Sequence, residues 1–73
     1  MMLVWQEVER KPGIFRGQVQ RSSDNHIAEL TVHDDGCWFV EYPVGVHAGY
    51  TASGHARDLE SAKLVARLVW ELS

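Results

Sequence analysis

The C-terminal stretch HARDLESAKLVARLVWELS has helical periodicity, and its apolar surface is too wide for an ordinary surface helix. At helical spacing the charged side chains fall in one narrow stripe, formed by Glu60, Lys63, Arg67 and Glu71. Apolar residues fill roughly two thirds of the circumference, whereas a helix lying on one sheet usually needs an apolar arc of little more than ~100°. The rest of the chain must therefore form a curved layer that wraps this helix, or another molecule must cover part of it.

The helix is predicted to run from about Leu59 to Leu72. Asp58 is a good N-cap, because its side chain can accept a hydrogen bond from an amide of the first turn. Glu60 suits the positive end of the helix dipole.

Two edges of this helix carry the excess apolar surface. One edge holds Leu64 and Leu68, and the other holds Ala66 and Trp70. A deeply cupped sheet, a second copy of the protein or another protein are three ways of covering them. Self-association or partner binding is the favoured hypothesis, because a small sheet offers little area to wrap a helix. Trp70 is the expected anchor, since Trp is enriched among interface hot spots.

The segment HIAELTVHDDGCWFVEY is the clearest β-hairpin signal in the chain. Asp34, Asp35 and Gly36 suit a three-residue connection with Gly36 in the left-handed conformation. If His33 faces Cys37, the alternation predicts a core face made of Ala28, Leu30, Val32, Trp38, Val40 and Tyr42. The opposite face then carries Ile27, Glu29, Thr31, His33, Cys37, Phe39 and Glu41.

A first hairpin is predicted over Val4–Gln20, with Pro12 and Gly13 in its turn. An L-Pro-Gly pair does not give the primed turns that tight hairpins prefer, so a longer loop is an alternative. A loop with an even number of residues would place Glu9 beside Arg16 as a cross-strand ion pair.

The glycine-rich segment PVGVHAGYTASG is predicted as a loop, with a short final strand around Tyr50 to Ser53. No repeat or linker divides the chain, so residues 1–73 are expected to form a single domain. The predicted fold is α+β: an antiparallel sheet of four to five strands, made of two β-hairpins and the short final strand, packed by one C-terminal helix.

Length and cysteine content bear on stability and location. A chain of 73 residues buries only about 60% of the surface that it exposes when unfolded, so small domains often rely on a staple or a partner. Cys37 is the only cysteine, which favours a reducing, cytoplasmic location. Because no secretory signal or long apolar run is present, membrane insertion and export are not expected.

Four histidines, one cysteine and two adjacent aspartates raise the question of a metal site. His33 and Cys37 could face each other beside the aspartates, with His47 and His55 in the following loop. However, no ligand pair has the short repeated spacing typical of structural zinc sites, and the aspartates are explained as turn formers. We therefore predict no metal and no cofactor.

Catalysis is not expected either. Glu29 and Glu41 would stand opposite each other on the outer sheet face, where they remain solvated or take an arginine from the neighbouring hairpin. Ser53 and His55 are near in sequence but lack an identifiable third group. No glycine-rich segment has the spacing of a phosphate-binding loop. The chain is therefore predicted not to be an enzyme.

Charge is distributed unevenly along the chain. Residues 22–56 contain five acidic side chains and neither Lys nor Arg. The first 21 residues contain four basic side chains that could contact nucleic acid, namely Arg10, Lys11, Arg16 and Arg21. The predicted outer face combines Trp5, Ile27 and Phe39 with Glu7, Glu29 and Glu41. Because these carboxylates repel phosphates, we interpret this face as a protein contact before a nucleic-acid platform.

The stretch GHARDLESAKLVARLVWEL resembles the end of many small phage and actinobacterial proteins of unknown function, in which a Trp-containing β-meander precedes a Gly-x-Ala segment and a helix. This resemblance covers the layout of most of the chain. It implies a phage accessory protein, a kind that often acts by binding a host protein.

The same stretch is similar to the second helix of double-stranded-RNA-binding domains, at Ala62, Lys63 and Ala66. That resemblance implies RNA binding. The family begins this helix with adjacent lysines that grip phosphates, whereas this chain has Asp58 and Glu60 there, and the first hairpin stands in place of the family's first helix.

The leading hypothesis is a non-enzymatic protein–protein interaction module, either a homodimer or a protein that docks on a partner. Its expected contact residues are Leu64, Leu68, Ala66, Trp70 and Phe39. The alternative is nucleic-acid binding through the basic side chains of the first hairpin.

Overall fold

The computed structural model of the chain describes residues 3–21, 26–44 and 48–72. The predicted polar loop over residues 22–25 and the candidate ligand His47 lie outside these ranges.

Within these ranges the fold consists of five antiparallel strands and one helix. The elements are β1 (Gln6–Glu7), β2 (Ile14–Arg21), β3 (His26–His33), β4 (Cys37–Val44), β5 (Thr51–His55) and α1 (Leu59–Leu72). The strands follow one another across the sheet in chain order, each pairing with the next. This meander, covered by a C-terminal helix, confirms the predicted α+β fold.

The β3–β4 hairpin has the predicted register and turn. Val32 pairs with Trp38 and Leu30 with Val40. Gly36 has a φ of 102°, in the left-handed region that glycine adopts without strain, and its N–H donates to the carbonyl of His33 at 3.0 Å. Because side chains alternate between the two faces of a strand, this register brings the apolar residues of both strands to one side.

The core lies between this face of the sheet and the helix. α1 packs on β3 and β4. Its buried residues are Ala62, Ala66 and Trp70, and the two alanines let the helix approach the sheet closely. The buried apolar strand residues are Val19, Ala28, Leu30, Val32, Val40 and Tyr42. Trp38, the remaining residue of the predicted core face, is half-buried and packs against them.

The first hairpin differs from prediction in its loop and register. Lys11 N–H donates to Val8 O at 3.1 Å, and Ile14 N–H donates to Lys11 O at 3.2 Å, so two turns follow each other. Arg10 and Gly13 have φ values of 72° and 84°, each at the third position of its turn. The connection therefore requires Arg10 to adopt a left-handed conformation, which an arginine in the sequence does not predict.

Two expectations about this hairpin are corrected by the register. Arg16 pairs with Gln6 and not with Glu9, because the loop has an odd number of residues. The same register places Trp5 across from Gly17 on the helix side of the sheet, where it packs against the core. Trp5 is therefore not an outer-face residue.

The strand β5 begins one residue later and ends two residues later than predicted. It pairs with β4 through Val40–Ala52 and Trp38–Gly54. The indole of Trp38 lies directly over Gly54, so that a Cβ there would come within 2.6 Å of the ring. Gly54 thus provides the space in which Trp38 covers this edge of the core.

The helix begins as predicted. Asp58 Oδ1 accepts a hydrogen bond from Ser61 N–H at 2.8 Å, and Asp58 O accepts one from Ala62 N–H at 2.9 Å. The bond from the Ser61 amide lowers the pKa of the Asp58 carboxyl, because it stabilises the charged form.

Gly36 should be the least replaceable glycine of the turns. A Cβ at Gly36 would overlap the carbonyl oxygen of Ala56, and the positive φ adds strain. Gly49 has a similar φ of 87° but open space around it. We expect Gly49→Ala to lower the free energy of unfolding by roughly 1–2 kcal/mol and Gly36→Ala by more than twice as much, as measured by urea denaturation. Equal losses in the two variants would contradict this account of the Gly36 turn.

The N-cap predicts a pH dependence with a defined sign. A lowered pKa means that the carboxylate of Asp58 stabilises the fold fully above its ordinary value of 3.8 and that this contribution is lost as pH falls through the folded value. Asn caps a helix without a charge. We expect Asp58→Asn to melt below the wild type at pH 7, with the gap narrowing below pH 3.8 and closing as the pH falls through the lowered pKa of Asp58. A gap that stays constant over this range would show that the charge of Asp58 contributes nothing.

Candidate functional site

An apolar stripe on the exposed side of α1 is the first candidate site. It consists of Leu64, Leu68 and Leu72, one on each successive turn, with exposed fractions of 58%, 44% and 85%. Residues four apart lie on the same face of a helix, so the three side chains form a continuous row. The name leucine stripe is used for these three residues below.

The other predicted helix edge is covered by the chain itself. Ala66 is fully buried and Trp70 is 5% exposed. The Trp70 ring stacks on the imidazole of His26, with 4.9 Å between ring centroids, and the guanidinium carbon of Arg21 lies 5.8 Å from the Trp70 ring. Trp70 is therefore a core residue within one copy. It offers no anchor to a partner, contrary to its expected role.

Ion pairs along the helix flank the leucine stripe. Lys63 Nζ lies 3.7 Å from Glu60 Oε1, and Arg67 Nε donates to Glu71 Oε1 at 3.0 Å. Lys63 also extends over the ring of Phe15, 5.1 Å from its centroid. On this flank of the leucine stripe, acidic and basic side chains therefore neutralise each other in pairs.

The outer face of the sheet is more polar. Glu29 and Glu41 pair across β3 and β4 as predicted, and Arg16 Nε lies 3.2 Å from Glu29 Oε1, so the neighbouring hairpin supplies the counter-charge. Phe39 is half-buried on this face, with its ring 5.6 Å from that of His33. Phe39 and the leucine stripe therefore lie on opposite layers of the molecule and cannot form one contact surface.

A cluster of metal-ligating side chains lies at one end of the same face. Asp35, Cys37 and His55 each offer a ligand atom, and these atoms all lie within 4.8 Å of one another. Cys37 and His55 are direct cross-strand partners in β4 and β5. The carboxylate of Asp35 is held in the turn by its bond from Cys37 N–H at 3.1 Å. The register that pairs Val32 with Trp38 also brings His33 across from Cys37.

The electrostatics of this cluster are those of a carboxylate beside a neutral thiol. Hydrogen bonds from the amide and the thiol of Cys37 lower the pKa of Asp35, with a smaller contribution from the charges of His55 and His33. Partial burial, followed by the nearby Asp35 carboxylate, raises the pKa of the Cys37 thiol. At neutral pH Asp35 is therefore a carboxylate and Cys37 a neutral thiol.

The basic residues of the first hairpin do not converge on one surface. Arg10 and Lys11 occupy the exposed turn, Arg16 is paired with Glu29, and Arg21 lies at the far end of β2 beside Trp70. The strand from Ile14 to Arg21 alone spans about 23 Å at ~3.3 Å per strand residue, so Arg21 lies far from the turn. A nucleic-acid backbone would meet them singly rather than as a patch.

Sequence reasoning missed two features of these sites. His26 is fully buried and stacks on Tyr42 as well as Trp70; extending the alternation of Ala28 and Leu30 back by one step places it on the core face. The convergence of Asp35, Cys37 and His55 is the second feature, because no pair among the candidate ligands has the short repeated spacing of a structural zinc site. Cys37 and His55 meet only through the pairing of β4 with β5, for which the sequence gives no register.

Comparison of the chain with protein-family models, with characterised proteins and with solved structures finds no match. Within the described ranges, no helix is both long and apolar enough to span a membrane.

The burial of Trp70 predicts a large stability cost for its removal. We expect Trp70→Ala to lower the free energy of unfolding by about 3–5 kcal/mol, because the stack with His26 is lost and a cavity remains. Leu68→Ala, on the exposed side of the same helix, should change it by less than ~0.5 kcal/mol in dilute protein. Urea denaturation measures both. If Trp70→Ala does not fold, Trp70→Phe takes its place. Its loss in the free energy of unfolding should lie between the losses expected for Trp70→Ala and Leu68→Ala. A small loss in Trp70→Ala would contradict the core assignment.

Proposed function

We propose that the protein is a non-enzymatic protein–protein interaction module that self-associates through the leucine stripe of α1. The observation that carries the proposal is the exposure of three leucines on successive turns, whereas the sheet covers the other apolar edge of the helix, at Ala66 and Trp70. Contiguous apolar patches on monomeric proteins are usually small, and the largest one is often functional.

The energy available from the stripe indicates a moderate affinity. The exposed fractions of the three leucines together equal nearly two fully exposed side chains per copy. Full burial of a leucine contributes about 1.5–3 kcal/mol, so two copies gain roughly 6–12 kcal/mol in total before the cost of association. That cost is about 4–15 kcal/mol. The most favourable balance, about 8 kcal/mol, corresponds to a dissociation constant near micromolar, so the stripe supports a weak, reversible dimer.

A second copy fits the stripe because the helix is self-complementary in antiparallel packing. With Leu68 on the two-fold axis, Leu64 lies level with Leu72 of the second copy. In antiparallel helices the same flanks meet. Arg67 of one copy then lies beside Glu71 of the other, offset by about 3 Å along the axis at 1.5 Å per residue. Two such pairs form, extending the Arg67–Glu71 contacts already present within each helix.

The dimer is tested by placing a charge on the axis. Leu68→Glu brings two carboxylates together at the centre of the interface, so the dimer dissociation constant should rise at least tenfold, because buried unpaired charges are costly. Val4 is 57% exposed, close to the 58% of Leu64, but lies outside the stripe. Val4→Glu is therefore the matched control and should leave association unchanged. Sedimentation equilibrium over a concentration series measures both. A strict monomer at millimolar wild-type protein would overturn self-association.

The register is tested by charge exchange. Arg67→Glu places acidic side chains opposite Glu71 of the second copy and should weaken the dimer. Adding Glu71→Arg to that variant restores both the helix pair and the intermolecular pairs, and should recover the wild-type dissociation constant within about threefold, a difference worth about 0.7 kcal/mol. A double variant as weak as the single one would rule out the antiparallel register.

A further inference from the structure

We infer that Asp35, Cys37 and His55 bind one Zn²⁺ ion at the outer end of the β4–β5 pair, with solvent in the fourth coordination position. This inference is independent of self-association, because the cluster and the leucine stripe lie on opposite layers of the molecule.

The donor set determines the kind of metal. A thiolate, an imidazole and a carboxylate are all ordinary zinc ligands. Ca²⁺ and Mg²⁺ prefer oxygen donors alone, and a soft thiolate selects against them. Binding converts the Cys37 thiol to a metal thiolate and releases its proton to solvent. No electron transfer is involved.

The distances are close to those that a tetrahedral site needs. With zinc–ligand bonds of ~2.0–2.3 Å, tetrahedral donors lie about 3.3–3.6 Å apart. The ligand atoms of Asp35, Cys37 and His55 lie within 4.8 Å of one another without a metal. Shifts of roughly 1 Å in the ligand atoms, within the reach of side-chain rotation, would therefore bring them to tetrahedral spacing.

The backbone of the site is held rigidly on both sides. Cys37 and His55 are paired in the ladder. Ala56 N–H donates to Gly36 O at 2.8 Å, which ties the turn that carries Asp35 to the residue following His55. Gly36 also packs so closely on Ala56 that a side chain could not be inserted. Preorganisation of this kind lowers the cost of assembling ligands from separate segments.

Access to the site is open. Asp35 and His55 are exposed and Cys37 is half-buried, so an ion can enter from solvent. His33 stands on the other side of Cys37, near enough to act on the charge of Asp35, but its ring does not belong to the close group of ligands. We assign it no bond to the metal.

Metal binding is tested on the full chain, freed of any affinity tag and kept reduced. After incubation with Zn²⁺ and gel filtration, elemental analysis should give one zinc per chain. With Co²⁺ as the probe, the wild type should show a thiolate-to-metal charge-transfer band that Cys37→Ser lacks. Failure of the wild type to retain zinc overturns the inference. Half a zinc per chain also overturns it, because the ligands would then come from two copies.

Substitutions identify the ligands. Cys37→Ser, His55→Gln and Asp35→Asn should each weaken Zn²⁺ binding by at least tenfold, since even changes to partners of metal ligands cost about 10–100-fold. Asp34→Asn is the matched control, because Asp34 neighbours Asp35 in the turn but is not one of the clustered ligands; it and His33→Ala should bind zinc within a few fold of the wild type. A loss in Asp34→Asn equal to that in Asp35→Asn would show that zinc associates with turn acidity rather than with a built site.

Thermal melting supplies a readout that does not depend on spectroscopy. Zinc bound to the native state alone should raise the melting temperature of the wild type and of Asp34→Asn. At the same zinc concentration it should raise the melting temperature of His55→Gln clearly less, because a tenfold weaker site stabilises the native state less. An equal rise in all three proteins contradicts the assignment, because it would place the stabilising ion elsewhere.

Discussion

The register of β3 against β4 is the constraint on which the rest of the molecule depends. It is fixed by a turn in which Gly36 alone can adopt the required φ of 102° beside the Ala56 carbonyl. A shift by one residue would turn the side chains of one strand to the other face of the sheet. Either Leu30 or Val40 would then leave the core, and α1 would lose part of the surface on which Ala62 and Ala66 pack. The outer-face cluster also requires this register, since Cys37 lies at the start of the same strand.

Local signals explain which parts of the fold could be predicted from the sequence. The Asp34–Gly36 turn and the alternation around it specify β3 and β4, and the cap at Asp58 specifies the start of α1. The first hairpin could not be predicted in the same way, because its loop contains two consecutive turns with Arg10 in a left-handed conformation. Arginine is not a residue type that predicts a left-handed conformation. The length of this loop sets the register of β1 against β2, and the register decides which sheet face carries Trp5 and which residue pairs with Arg16.

The apolar surface of the helix is as wide as the sequence predicts, but only one of its two edges is covered. Ala66 and Trp70 are buried, whereas Leu64 and Leu68 are exposed. The sheet covers Trp70 because the rings of His26 and Tyr42 stack on its indole. These two rings add aromatic surface to the aliphatic side chains of the sheet. A prediction based on area alone could not include this, because the position of His26 on the core face was not recognised. Leu64, Leu68 and Leu72 stay exposed because the sheet lies on the opposite side of the helix axis from them.

The candidate metal ligands illustrate why sites are harder to predict than elements. Cys37 and His55 are 18 positions apart, and only the pairing of an exposed, weakly patterned strand brings them together. Their placement also connects the two layers of the molecule. Gly36 bonds to Ala56, and Ala56 leads within two residues to the cap of α1. An ion held by Asp35 and His55 would therefore restrain the segment from which the helix starts, and the stability of the helix end would depend on the metal through the backbone alone.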